Sequence, residues 1–356
     1  MSRPADLVGQ VVQGLAPPFA FCGVALAQGG QRRFWTATAP GLAAAPHTLW
    51  RAASISKIVT GRVVAALAAA AGLQPPYAVD IAPLLGFALR NPAFPDHPLT
   101  LGQVASHTAG LSDGAGYMIA PDQTLAGWFA AQGPAAFGPH RPGAAFAYCN
   151  LGYVLLAAVA ERWAGERFDH LARRLVLGPL GITGGFNWSG VADRSDRLAT
   201  FRRDGAALIA QIDATVAATG VSAPDGREVD LTGWQPGRNP APFSPQGGLR
   251  LSLAGALTLA QSLARLDDTP LWQGEADGLP QGHGIGLMHL PAGPVWPRPL
   301  IGHFANAYGF CGGVWHDRQA GVSLAYALNG LPLGDDSDAL RQEELAILRA
   351  LAAIVD

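Results

Sequence analysis

Lysine is almost missing from this chain: of its 24 basic side chains, only Lys57 is not an arginine. Cysteine is scarce too. Cys22, Cys149 and Cys311 are odd in number, far apart and in no metal-ligand spacing, which argues against a disulfide framework. Charge is low, at 14% of residues, and the net charge of −2 gives no reason to expect nucleic acid or an acidic membrane surface as partner. No block of like charge, low-complexity tract or internal repeat stands out. Long apolar runs are missing as well. The stretch Val63–Leu73 falls short of the roughly 20 apolar residues a membrane span requires. The first residues carry Asp6 in an amphipathic pattern, not the basic start and apolar run of a signal peptide. The expected location is therefore the cytoplasm, or the periplasm if a leader precedes this sequence.

What is present is apolar bulk. Across 356 residues, 49% are hydrophobic, enough for one large domain or two closely joined ones with a sizeable core. Residues 4–15 read as an amphipathic helix. Two strands, 19–27 and 33–38, flank the Gly29-Gly30 turn. A long small-residue helix is expected from Trp50 to about Ala71, of a kind that suits burial between two layers. From 74 to about 240, helical stretches (101–106, 151–164, 168–177) alternate with Pro/Gly-rich loops. A turn at 244–251 leads into a helix at 253–266. Strand signals return at 300–304, 312–316 and 321–328, and a terminal helix over 337–354 is expected to be capped by Ser337 and Asp338. Strands grouped at both ends around a helical middle predict one mostly antiparallel sheet closed by both chain termini. The corresponding domains are 1–73 with 241–356, and a mainly helical 74–240, with the site between them.

The single lysine stands three residues after a serine, in Ser54-Ile55-Ser56-Lys57. Taken alone, such a string is a helix-capping serine followed by a solvated lysine. Arginine would serve equally well on a solvated face, but not where a cation must give up its proton near neutral pH. At the first turn of a helix, the Ser54 N–H would be an unpaired donor able to face an oxyanion. Spacing of i,i+3 puts both side chains on one helix face. A serine hydroxyl needs a neighbouring base before it attacks, and a buried lysine near the positive end of a helix dipole can be that base.

Three strings extend this pattern: Ala53-Ser54-Ile55-Ser56-Lys57, Tyr148-Cys149-Asn150 and Gly302-His303-Phe304-Ala305. Connectors stand between and beside them: Ser106-His107-Thr108-Ala109-Gly110-Leu111, Gly152-Tyr153 and Gly247-Gly248-Leu249-Arg250. Over roughly residues 20–330 the chain resembles the penicillin-binding-type serine hydrolases, the branch with class C β-lactamases, D-alanyl-D-alanine carboxypeptidases, D-aminopeptidases and related esterases. The resemblance implies an α/β (α+β) fold of the β-lactamase/transpeptidase type, a mostly antiparallel sheet flanked by helices with an inserted helical domain. It implies Ser54 as nucleophile, Lys57 as its base, and Tyr148 relaying the proton to the leaving group. For Tyr148 the plainer alternative is a packed interface ring. Asn150 would bind Lys57 or a substrate amide, or cap the following helix, or do both. His303 stands where many relatives have lysine and would support proton transfer near neutral pH; the alternative is a structural histidine. The Asn306 N–H would be the second oxyanion donor.

The third motif departs from carboxylate-recognising relatives, in which a hydroxyl residue and glycine follow the first position. Phe304 removes a donor, and Ala305 adds a methyl group where substrate backbone would approach. Both argue against an efficient β-lactamase or DD-carboxypeptidase and favour a small-molecule ester, amide or peptide substrate with an apolar acyl or amine portion. His107 is expected beneath the site, and His283 and His289, six apart, do not make the i,i+4 pair of a zinc hydrolase. No cofactor or metal is expected, and nothing in the sequence fixes an oligomeric state. The alternatives are a β-lactamase, a D-alanyl-D-alanine carboxypeptidase or D-aminopeptidase, an acyltransferase, a non-catalytic binding member of the fold, and a metal-dependent hydrolase, which the histidine spacing disfavours.

Overall fold

The computed structural model describes residues 4–15, 19–223, 226–266, 268–335 and 339–355. Eight strands form the main sheet: β1 (Phe21–Gln28), β2 (Gln31–Thr38), β3 (Trp272–Ala276), β4 (Leu279–His283), β5 (Met288–Leu290), β6 (Leu300–Ala307), β7 (Phe310–Asp317) and β8 (Val322–Asn329). Their order is β2-β1-β8-β7-β6-β5-β4-β3, antiparallel throughout. Gly29 and Gly30 take φ of 57° and 81°, and Gln28 stands opposite Gln31. That is the two-residue hairpin the sequence predicts. On its other edge β1 pairs with β8, Phe21 opposite Asn329, so the two ends of the chain close one sheet.

Side chains alternate across this sheet and both faces are buried. On one face Phe21, Ala25, Ala27, Val314, Ala325 and Ala327 join a core that continues into the helices α2 (Ser56–Ala70), α3 (Asn150–Ala164) and α4 (Leu253–Ser262). The other face carries Cys22, Val24, Leu26, Trp315, Leu324 and Leu328. It is covered by α1 (Pro4–Leu15) and α5 (Gln342–Ala352). The caps expected at Ser337 and Asp338 lie outside the described residues; α5 begins after Arg341.

The long helix starts later than its sequence suggests. Trp50–Arg51 is a short strand paired with Leu249–Leu251, and Ala53–Ile55 is a 3₁₀ turn ahead of α2. The run Ala53–Ala70 also reaches the length and mean hydropathy (1.4) of a membrane span, which the shorter apolar stretch read from sequence does not. Its small residues pack instead against α3 on one side and the sheet on the other. Gly61 and Gly286 let the connection between β4 and β5 lie close against α2. A Cβ on Gly61 would lie 2.4 Å from Ile285 O, and one on Gly286 would lie 2.2 Å from Lys57 O.

Candidate active site

Ser54 sits in the 3₁₀ turn, just after Ala53, whose φ of 43° is left-handed. For an alanine this conformation costs roughly 1–2 kcal/mol, held here by burial of the turn against β6. The first bond of the turn runs from Ile55 N–H to Ala52 O (3.1 Å), so the Ser54 N–H stands ahead of the hydrogen-bond ladder. Lys57, one turn on, has no solvent exposure. Its Nζ lies 3.0 Å from Ser54 Oγ and donates to Asn150 Oδ1 (2.8 Å) and Gln246 O (2.9 Å). The loop carrying Gln246 is tied to α2 by two more bonds, Thr60 Oγ1 to Pro245 O (2.7 Å) and Leu249 N–H to Ser56 Oγ (2.9 Å).

From the opposite wall Tyr148 Oη donates to Ser54 Oγ at 2.9 Å. Its ring lies 4.7 Å from Lys57 Nζ and stacks on His107, centroids 4.4 Å apart. His107 is the floor beneath the site that its connector position suggests. Its Nδ1 accepts the Cys149 N–H (3.0 Å), which leaves the remaining ring proton on Nε2. Burial above all, with help from His283 and Lys57, holds its pKa well below the usual histidine value. A neutral ring therefore braces Tyr148.

Asn150 reaches Lys57, but it does not cap the helix. Cys149 occupies the N-cap without a side-chain capping bond to the helix, and Asn150 is the first helical residue. The cap comes from Asp113, a distant residue whose carboxylate accepts from Asn150 N (2.9 Å), Leu151 N (2.9 Å), Asn150 Nδ2 (2.9 Å) and Cys149 Sγ (3.3 Å). The third of these bonds orients the Asn150 amide: its NH₂ faces Asp113, so its oxygen must face Lys57.

The third string forms β6. Ala307 and Phe310 face each other across the Tyr308-Gly309 turn, so the register leaves Asn306 out of bonding with β7. The strand as a whole packs against the turn that carries Ser54. His303 is buried, and its Nδ1, 2.5 Å from Phe304 O, can only donate there. Its Nε2 is buried with no partner among the described residues. Burial first, then the Lys57 charge, pushes its pKa well below the usual value. Burial and the Lys57 charge thus favour the uncharged form of the His303 ring, against the proton-transfer role near neutral pH expected of it. Phe304 is half-buried and stands edge-on to Trp315 (4.5 Å, 68°), against the core on the far face of the sheet. Ala305 is buried on the near face.

Ser54, Tyr148, Asn150 and the residues His303 to Asn306 line a cavity of about 580 Å³, together with Arg51, Asp113, Phe146, Gln246, His283 and Tyr308. A model for the beta-lactamase family matches residues 9–348. The chain belongs to the beta-lactamase family. No curated protein matches it. Solved structures do. Over 99% of this chain and 98% of its own length, the D-amino acid amidase from Ochrobactrum anthropi SV3 superposes with a TM-score of 0.73 at 16% identity. The octameric penicillin-binding protein homologue from Pyrococcus abyssi gives 0.71 at 20% identity, covering 99% of this chain and 77% of that one. A beta-lactamase/D-alanine carboxypeptidase from Pseudomonas syringae gives 0.68 at 15% identity over 98% and 99%. At these identities the likeness is one of fold.

Within that fold, sequence reasoning missed Asp113 and Gln246, which share no motif with the residues they hold. Asn150 at the start of the helix reads as its own cap in sequence, which hides the need for Asp113. His283 lines the cavity against His107 and Trp272, and burial takes its pKa down to about 3. His289 pairs instead with Asp268 (2.7 Å). Among the described residues no three His, Cys, Asp or Glu side chains are grouped to hold a metal.

Proposed function

We propose that this chain is a serine hydrolase that cleaves small esters and amides through an acyl-enzyme on Ser54. The observation that carries the reading is the contact of Ser54 Oγ with both Lys57 Nζ (3.0 Å) and Tyr148 Oη (2.9 Å) at an open cavity. In the proposed cycle Lys57 takes the hydroxyl proton as Oγ attacks the carbonyl carbon. The N–H groups of Ser54 and Asn306 receive the negative charge on the carbonyl oxygen. Tyr148 passes the proton to the leaving alcohol or amine, and the ester bond to Ser54 remains. Water then enters: Tyr148 and Lys57 relay one of its protons to Ser54 Oγ as its oxygen bonds the acyl carbon, the Oγ–acyl bond breaks, and the acid leaves with the serine hydroxyl restored.

Amides belong in the proposed range because the fold relatives bear the names of an amidase and a carboxypeptidase. β-Lactams are placed lower, because Phe304 offers no donor to a carboxylate and its ring is packed on Trp315. A fluorophosphonate probe followed by mass spectrometry tests the chemistry, with modification expected at Ser54 and absent in Ser54→Ala. An unmodified Ser54 would support a non-catalytic binding protein instead. Turnover of 4-nitrophenyl butyrate is expected to exceed that of a chromogenic cephalosporin, and the reverse order would overturn the substrate assignment.

A further inference from the structure

Arg51 precedes Ser54 by three residues and lines the same cavity. A buried arginine ordinarily faces a carboxylate. The acid nearest to hand is already engaged. Asp213 accepts from Arg250, the residue opposite Arg51 in the strand pair, at 3.0 Å (Nε to Oδ2) and 2.6 Å (Nη2 to Oδ1). It also accepts from Trp188 Nε1 at 2.8 Å. Two guanidinium groups therefore share one carboxylate, and the cluster keeps one positive charge uncompensated.

Arg51 has little else. It is 8% exposed, its guanidinium lies 4.9 Å from the Tyr308 ring centre, and Nη2 makes one long contact with Ser244 Oγ (3.4 Å). Its Nε is buried without a partner among the described residues. Burial and the neighbouring Arg250 both disfavour its charge, while Asp213, Tyr308 and Tyr117 favour it. Asp113, Asp277 and Glu344 also line the cavity, but none forms an ion pair with Arg51 among the described residues. An anion entering the cavity would meet a fork of donors already desolvated and held in place, which is how arginine recognises carboxylates.

The order of groups along β6 says which part of a substrate would bring that anion. His303 is at the end near Tyr148, the proposed proton donor to the leaving group (ring centres 6.3 Å apart). Asn306 follows at the oxyanion position. Tyr308, over which Arg51 lies, comes two residues later, in the turn that ends the strand. Arg51 is thus at the acyl end of the cleft, opposite the leaving group.

We propose that Arg51, framed by Tyr308 and Ser244, is a subsite for a carboxylate on the acyl portion of the substrate. The preferred substrates are then esters or amides of a dicarboxylic or similarly acidic acyl group, an assignment that rests on the hydrolase reading above. Charge-assisted hydrogen bonds of this kind correspond to about a ten- to hundredfold preference.

The test compares kcat/KM for the mono-4-nitrophenyl ester of adipate with that for 4-nitrophenyl hexanoate, which has a methyl group in place of the carboxylate. Wild-type protein is expected to favour the adipate ester about ten- to hundredfold, mainly through KM. Arg51→Met should bring the ratio near one, and Arg51→Lys should keep part of it. A wild-type ratio of one or less, or an Arg51→Met variant with the wild-type ratio, would overturn the subsite. Should Arg51→Met fail to fold by circular dichroism, competition against hexanoate turnover by the wild type decides. Inhibition by adipate and not by adipamide supports the subsite, and equal inhibition refutes it. Equal turnover of the two esters removes the subsite and leaves the hydrolase. Turnover of neither, with Ser54 unlabelled by fluorophosphonate, removes the hydrolase reading and the subsite with it.

Discussion

Asp113→Ala is the perturbation that best separates positioning from chemistry at this site. Asp113 touches neither Ser54 nor the base in the hydrogen-bond pattern; it accepts four donors from Cys149, Asn150 and Leu151. Removing the carboxylate strips α3 of a side-chain cap worth about 1–2 kcal/mol, and of a negative charge at its N-terminus, worth about 0.3–1 kcal/mol. A stability loss of about 2 kcal/mol follows, readable in urea melts. The second consequence is local. Without Asp113 the Asn150 amide is no longer held with its oxygen toward Lys57, and an amide turned over would present NH₂ to an amine. We expect kcat on 4-nitrophenyl butyrate to fall about tenfold or more, the equivalent of one lost hydrogen bond to a charged or buried group. The decisive assay is a double-mutant cycle. If Asp113 acts through Asn150, then Asp113→Ala should cost little further kcat in an Asn150→Ala background. Additive losses in kcat, or wild-type kcat in Asp113→Ala alone, would refute the reasoning.

Three further outcomes follow from the same geometry. Lys57→Arg keeps a cation among Ser54, Asn150 and Gln246 but cannot release a proton. With the fold confirmed by circular dichroism, turnover should drop about 10²–10⁴-fold, and near-wild-type rates would mean Lys57 is not the base. Glu344 is buried, accepts from Tyr326 Oη (3.0 Å) and Arg341 N (3.1 Å), and burial raises its pKa to about 7. Between its unfolded value near 4.5 and about 7 the folded state binds the extra proton, so stability should decline as pH rises through that window and level off above it. Melting temperatures from pH 5 to 8 should show a shallower slope in Glu344→Gln, and identical slopes would exclude Glu344 as the cause. Gly286→Ala puts a methyl group 2.2 Å from Lys57 O at a φ of +73°, so it should lower the melting temperature and the kcat together. An unchanged melting temperature would show that this segment can move off α2 without loss.

Sequence reading succeeded where one physical signal acts locally. The Gly29-Gly30 turn announces its hairpin because few other residues accept two consecutive positive φ values. The strands β6, β7 and β8 are apolar runs buried on both faces, so their composition carries them. The strands β3, β4 and β5 went unseen. All three are short, β3 and β4 are interrupted by glycine or proline (WQGEA, LPQGH), and β3 is the edge of the sheet, partly exposed along its length. Pairing with a neighbour, not their own propensity, makes them strands. The start of α2 was misplaced for the same kind of reason: Trp50–Arg51 is drawn into a strand by Leu249–Leu251, which no local pattern encodes.

The candidate site divides along the same line, and the division bears on how its parts can be changed. Ser54 and Lys57 are legible because a helix turn links them, so their relation survives in four letters of sequence. Asp113 and Asn150 are 37 residues apart, and Lys57 and Gln246 are 189 apart; each pair meets only when the two walls of the cleft close on α2. Whether His303 titrates near neutral pH could not be read at all, because its protonation depends on burial and on the charge of Lys57, both products of the fold. The acylating pair thus depends on local geometry, while the direction of each polar group around it depends on long-range contacts. Substitutions in the distant loops at Asp113 and Gln246 should therefore change rate without touching the nucleophile, whereas substitutions within Ala53–Lys57 alter nucleophile and fold together.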